Sequence, residues 1–367
     1  MGGDRVLPDD LRMEILSSVK PDRSKREEIE KNASDLLGAV NETLREMSLH
    51  DVNTMLVGSV SKGTMTTDPD LDIFLIFPAD TGVEELERIG LRVGSAVLND
   101  AEKKYTQHPY MTGTFRGMNA DIVPCLSMPR GSRVVTAVDR TPYHTEYINA
   151  NLRGDQRDEV RLLKSFLKGI GAYGAEDVVC GFSGYLTELM VIRFGDFDGV
   201  IRHLSSLRFD DPPPASFEVV RSTGKNRNPP EILKFDSDPY MREVPLDDEV
   251  YRKMFPRDSL IFIDPVDPTR NVASPVSEET LSHANRKARS LIEKPSVNSF
   301  WPASKRPVLP GDDIPIPGIF GDHIIHILDL PEGNPGIVIS QLRRSLGRCR
   351  DELKRSGFES VEIGFPY

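Results

Sequence analysis

Val57-Gly58-Ser59-Val60-Ser61-Lys62-Gly63-Thr64-Met65-Thr66-Thr67-Asp68-Pro69-Asp70-Leu71-Asp72-Ile73-Phe74-Leu75-Ile76-Phe77 is the stretch that decides the fold. An apolar run, Met55-Leu56-Val57, enters a Gly-Ser turn, and a second run, Ile73 to Phe77, follows two acids. Both runs read as strands. Side chains alternate faces along a strand, so Asp70 and Asp72 point the same way and can share a metal. The Gly58-Ser59 turn is expected to open a helix, whose free N–H groups suit a phosphate. Two carboxylates facing a phosphate cradle are what metal-assisted nucleotidyl transfer needs.

Neither part is informative alone, because acidic pairs at strand starts and Gly-Ser turns are both common. The ordered set is restrictive: a strand, Gly-Ser, ten residues, then Asp-x-Asp inside a second strand. It resembles the signature of the DNA-polymerase-β-like nucleotidyltransferases. That resemblance implies a third carboxylate on a neighbouring strand. Asn119-Ala120-Asp121-Ile122-Val123-Pro124-Cys125 offers Asp121 at the head of a short apolar strand, after a hairpin-like stretch from Tyr110 to Met118. Three carboxylates carry enough charge for two hard cations that prefer oxygen ligands.

The 367 residues exceed what one core usually organises, so two or three domains are expected. A hydrophobic content of 38% and a charged content of 28% describe a soluble globular chain. No apolar stretch approaches the length of a membrane span, and Met-Gly-Gly-Asp-Arg lacks an apolar secretion core. Val6 stands where myristoylation wants Ser or Thr. Cys125, Cys180 and Cys349 are odd in number and far apart, which points to a reduced, cytoplasmic protein. The net charge of −11 counts against extended duplex binding but leaves room for a grip on an RNA end.

Along the chain, Ser24 to Leu49 reads as a helix opened by the capping box Ser24-Lys25-Arg26-Glu27, with Ile29, Leu36, Leu37, Val40, Leu44 and Met47 near helical spacing. Strands over 52–57, 71–77, 104–115 and 118–125 and a helix over 83–99 make an α/β palm ending near Arg140. From Tyr143 to Phe197 the pattern is helical, with Lys164 and Lys168 on the polar side of one helix and a second, more buried helix from Gly184 to Arg193. Residues 206–250, rich in Pro, Asp, Lys and Asn, read as an insertion or exposed loop. Leu260 to Ile263 is an expected strand. Asp264 and Asp267 look like a second metal pair, but the prolines between and after them favour a structural turn. Lys294 to Pro317 reads as a linker, followed by a strand over 323–330, a helix over 337–356 and a strand over 361–365. This last unit resembles half of a ferredoxin-like fold, which suggests a C-terminally shortened chain. The fold class expected is therefore α+β: a palm over 1–140, a helical central domain over 141–293 and a C-terminal piece over 294–367.

The chain as a whole resembles the class I, archaeal-type CCA-adding enzymes (CCA tRNA nucleotidyltransferases). The segments that carry this are Val57-Gly58-Ser59, Asp70-Leu71-Asp72-Ile73-Phe74, His108-Pro109-Tyr110, Ala120-Asp121-Ile122-Val123-Pro124-Cys125 and Ala137-Val138-Asp139-Arg140-Thr141-Pro142-Tyr143-His144. They continue with Glu159-Val160-Arg161-Leu162-Leu163-Lys164, Tyr173-Gly174-Ala175-Glu176, Gly181-Phe182-Ser183-Gly184-Tyr185 and Asp264-Pro265-Val266-Asp267 through Ala273. The resemblance implies catalytic, magnesium-binding roles for Asp70, Asp72 and Asp121. It implies nucleotide contacts for Gly58, Ser59, Lys62, His144, Lys164 and Tyr173, with Arg270 near the incoming base. Lys62 stands where relatives commonly have Arg, keeping the charge but losing the bidentate fork. The implied cofactor is a pair of Mg2+ ions, and the implied partners are the tRNA 3′ end with ATP and CTP. A homodimer stays open. The alternatives kept beside this reading are a poly(A)-polymerase or oligoadenylate-type enzyme and a non-catalytic RNA-binding relative.

Overall fold

The computed structural model describes residues 5–105, 109–128, 137–176, 179–209, 230–234 and 247–301, together with Ser345. Its N-terminal half is built on one five-stranded sheet. The strands are β1 (Asn53–Val57), β2 (Leu71–Phe77), β3 (Asn99–Tyr105), β4 (Pro109–Phe115) and β5 (Met118–Leu126), in the order β1-β2-β5-β4-β3. β2 and β5 run parallel at the centre, and the other neighbours are antiparallel.

The pleat sorts the residues of β2. Leu71, Ile73, Leu75 and Phe77 enter a core with Ile29, Leu36, Val40 and Leu44 of α2 (Arg23–Glu46) and Leu86, Ile89 and Val93 of α4 (Val83–Val97). Asp72 and Phe74 face the other way. Between β1 and β2 lies one helical turn, α3 (Gly58–Lys62), closed by Gly63 in the left-handed conformation.

The sequence missed several boundaries. α2 begins before Ser24, and the Asp22 carboxylate caps it by accepting the Lys25 N–H at 2.7 Å. Asp serves as well as Ser at that position, so spacing alone did not separate them. The expected strand over 104–115 is two strands. The first, Asn-Asp-Ala-Glu-Lys-Lys-Tyr, is a polar edge strand with no apolar alternation to reveal it, and the chain already turns extended at Leu98.

A second core is helical. α1 (Asp9–Val19), α5 (Thr141–Asn151), α6 (Gln156–Gly169), α7 (Gly184–Phe194), α8 (Phe197–Ser206) and α10 (Glu278–Glu293) surround Ile15, Ile148, Phe166, Leu189, Val200 and Leu291. Val6, Leu7, Ile15 and Val19, which the sequence assigns to the palm, pack here instead. β6 (Glu231–Leu233) lies inside the expected loop over 206–250 and pairs in parallel with β7 (Leu260–Asp264). α9 (Asp248–Met254) follows β6, and β7 forms a hairpin with β8 (Asp267–Asn271). The expected linker from Lys294 opens with a 3-10 turn, Val297–Phe300, whose Phe300 ring packs 5.8 Å from Phe166 and 5.7 Å from Phe197. Apart from helical Ser345, the expected elements over 323–365 lie outside the described residues.

Candidate active site

Asp72 and Asp121 are direct partners in the parallel register of β2 and β5, so their carboxylates stand side by side on the face turned away from α2 and α4. Asp70, exposed and just ahead of β2, completes the group. Burial, then the charges of Asp121 and Asp70, push the Asp72 carboxyl up to about 6, against the opposing pull of Lys62. Asp121 is also raised by burial, while a hydrogen bond donated by the Thr112 hydroxyl offsets part of the shift. Among the described residues no three His, Cys, Asp or Glu side chains close into a ready metal cage. The three acids do share one field, and their oxygens are the donors hard cations prefer. That fits a divalent metal.

Gly58 explains how the turn meets these acids. Its φ is +70°, and an added Cβ would lie 1.9 Å from an Asp72 carboxylate oxygen. Only a glycine lets the backbone of α3 come this close. Ser59 follows at once on the same turn, half-buried.

Lys62 and Lys164 are brought together, but not as solvated cations. The Lys62 ammonium donates to the buried Glu188 carboxylate at 2.7 Å, and the Thr64 hydroxyl donates to its other oxygen at 2.6 Å. Lys164 donates to the Thr64 carbonyl at 3.2 Å and hydroxyl at 3.1 Å, with Glu188 at 3.6 Å. The sequence puts Lys164 on a polar helix face. In the fold that face is covered by the segment after α3, leaving Lys164 5% exposed. Burial lowers its ammonium to about 8, held from falling further by Glu188. Arg157 and Arg161, on the same α6 face, donate to the carbonyls of Lys62 (3.1 Å), Gly63 (2.6 Å) and Met65 (2.7 Å).

His144 and Arg270 meet at another carboxylate. Asp264, fully buried, accepts from His144 Nε2 at 2.9 Å, Arg270 at 2.7 Å, the Tyr185 hydroxyl at 3.1 Å and the Val266 N–H at 3.0 Å. Burial alone would raise Asp264, but these partners hold it well below the usual carboxylate range. Burial lowers His144, while the Asp264 carboxylate pulls the other way. Asp267 pairs separately with Arg140 at 2.7 Å. Asp264 and Asp267 thus anchor a turn, as the prolines suggest. The Tyr185 ring stacks on His144 at 3.9 Å and lies 5.9 Å from the Lys62 ammonium, joining the two clusters. The Lys168 ammonium lies 5.2 Å from the Tyr173 ring, whose phenol is raised by burial and by Glu188.

Sequence reasoning missed Glu188, Thr64, Thr112, Tyr110 and Tyr185. Glu188 did leave a signal, as the lone charge in the run Leu186–Ile192. Tyr110 shares the β4 face with Thr112, and its phenol is raised by burial and by all three carboxylates.

This arrangement defines a class, the polymerase-β-like nucleotidyltransferases. The nucleotidyltransferase domain family matches residues 37–144, and the second domain of tRNA nucleotidyltransferase matches 158–301. Among solved structures, the Cid1 poly(U) polymerase superposes with a TM-score of 0.56 at 13% identity, covering 80% of this chain and 98% of that one. E. coli MS115-1 CdnC gives 0.55 at 16%, covering 80% and 95%. At these identities the likeness is one of fold. The CCA-adding enzyme of Pyrococcus abyssi is 35% identical over 96% of this chain and 74% of its own length. That of Thermoplasma acidophilum is 39% identical over 78% of this chain, which spans 58% of that relative's length. The chain belongs to the CCA-adding enzyme family. No helix among the described residues is long and apolar enough to cross a membrane.

Proposed function

We propose that the chain adds and repairs the CCA 3′ terminus of tRNA, without a template, from CTP and ATP with release of pyrophosphate. The observation that carries this is the register pair Asp72–Asp121 beside the close backbone approach at Gly58, in a chain 35% identical to a CCA-adding enzyme over 96% of its length. Asp70, Asp72 and Asp121 would hold two magnesium ions, and the fold neighbour Cid1 is solved with MgATP. Bound there, the ions would acidify the RNA 3′-hydroxyl and neutralise the leaving pyrophosphate.

The chain's own residues do the rest. Gly58 and Ser59 bring the α3 turn against the triphosphate, and Lys62 supplies a cation one turn on. Lys164 steadies the segment after α3 through Thr64. His144 and Tyr173 close the nucleotide pocket, and Arg270, fixed on Asp264, faces the base. The palm thus carries the chemistry and the central domain the nucleotide, while residues 294–367 take the RNA. Work on tRNA puts the protein in the cytoplasm, and a homodimer fits these roles.

The test is incubation with tRNA lacking its CCA end, magnesium and each labelled nucleotide. Incorporation of two C residues and then one A, followed by arrest, is the expected result. Extension by a single nucleotide without arrest would instead indicate a poly(A)-type enzyme, and no incorporation a binding protein.

A further inference from the structure

We propose that Glu188 is a positioning residue for the nucleotide's triphosphate, holding the Lys62 ammonium of the palm in place from the helical core. This rests on the reading of Lys62 as a triphosphate contact. Glu188 is 1% exposed on α7, the one charged side chain among that helix's buried residues, which are otherwise Leu186, Thr187, Leu189, Met190 and Val191. A side chain serving packing alone would be cheaper as a hydrocarbon, because burying a carboxylate forfeits its hydration. Its partners explain the charge. They come from two elements outside α7: Lys62 and Thr64 from α3 and the segment after it, and Lys164 from α6.

Donor counting separates the two lysines. An ammonium has three N–H groups. Lys164 already spends two on the Thr64 carbonyl and hydroxyl. Lys62 spends one on Glu188, with the Tyr185 ring 5.9 Å away, and its charge is felt by Asp72. By this count Lys62 keeps two donors for a phosphate and Lys164 one, so Lys62 is the better placed cation and Lys164 with Thr64 is chiefly a prop. Two ammoniums this close repel, and Lys168 and Arg161 add to the positive field around Lys164. Glu188 neutralises one charge, so the pair keeps a net charge of one that a polyphosphate can meet. Glu188 and Tyr185 stand three apart on α7, one tied to Lys62 and the other to Asp264 and His144. One helix face thus sets both ends of the nucleotide pocket.

The test is a double-mutant cycle on nucleotide affinity, measured by equilibrium titration of the full chain with ATP or CTP and magnesium, without acceptor RNA. Glu188→Gln and Lys62→Ala should each weaken both nucleotides about tenfold, and the double variant should lose little more than either single one. Losses that multiply, or unchanged affinity in Glu188→Gln, would overturn the proposal. If Glu188→Gln does not fold by calorimetry, Glu188→Asp, which draws the carboxylate back by one methylene, takes its place, with a smaller loss expected and the same cycle. Because no RNA is present, failure to extend tRNA would sink the proposed activity while leaving this result intact.

Discussion

Asp72 shows how a single carboxylate opposes stability where it serves function. Its folded pKa of about 6 lies above the unfolded value of 3.8, so its charge destabilises the fold above pH 6 and ceases to do so below about pH 4. At about 1.4 kcal/mol per unit, the penalty at neutral pH reaches roughly 3 kcal/mol. Asp72→Asn should therefore unfold at a higher temperature than the parent in a chelating buffer at pH 7, with the gain shrinking as the pH falls toward 4. The same variant should lose incorporation of both nucleotides by about a hundredfold or more, because a carboxylate proposed to hold the metals is gone. Retention of more than about a tenth of the activity would end the metal assignment. Asp264 is the opposite case. Its pKa is depressed by His144, Arg270 and the Val266 N–H, so it stabilises the fold above the unfolded carboxylate pKa, and that support is lost as the pH falls through its own depressed value.

At the scale of elements, the polar face of α6 is an interface. Arg157, Arg161 and Lys164 recur at helical spacing and donate to successive carbonyls from Lys62 to Met65, satisfying the C-terminal end of α3. Arg161 does most, with bonds to Gly63 and Met65 at 2.6 and 2.7 Å. Arg161→Ala should cost about 2–4 kcal/mol, since two charge-assisted bonds go and two carbonyls lose partners. Denaturant unfolding measures that. Nucleotide KM should rise for ATP and CTP alike, because the α3 turn is proposed to meet the triphosphate and not the base. A change confined to one nucleotide would show that α6 acts on base choice instead.

Among the described residues, the two largest cores are joined by charged groups. The palm core is centred on Ile73 and Leu75, the helical core on Phe166 and Leu189, and between them run Lys62–Glu188, Arg161–Gly63 and Arg140–Asp267. Phe300 closes the helical core far along the chain from Asp70, Asp72 and Asp121. Phe300→Ala should destabilise that core by about 3–5 kcal/mol through the cavity it leaves. Calorimetry should then split unfolding into an early helical transition and a palm transition near its original temperature. A single transition shifted as one unit would show that the charged seam couples the cores fully.

The sequence by itself determined the sheet's central strands and the Gly58-Ser59 turn, whereas Asp70, read as sharing a strand face with Asp72, stands just ahead of β2. The strands and the turn follow from local rules: alternation along a strand, the backbone freedom of glycine, and apolar runs of strand length. It also singled out Asp121, His144, Lys164, Tyr173 and Arg270, though through resemblance and not through spacing. The register that sets Asp72 against Asp121 was decided only in three dimensions, because the two residues are joined by a long crossover. So was the burial of Lys164, since a helix face that reads as polar stays solvated only if nothing covers it. Glu188 stood in the sequence as one acid in an apolar run. Its partners, Lys62 and Thr64, lie 126 and 124 residues away, and no local pattern reaches across that distance. Long-range charge pairing depends on how two separately formed cores dock, and that is a property of the packed chain.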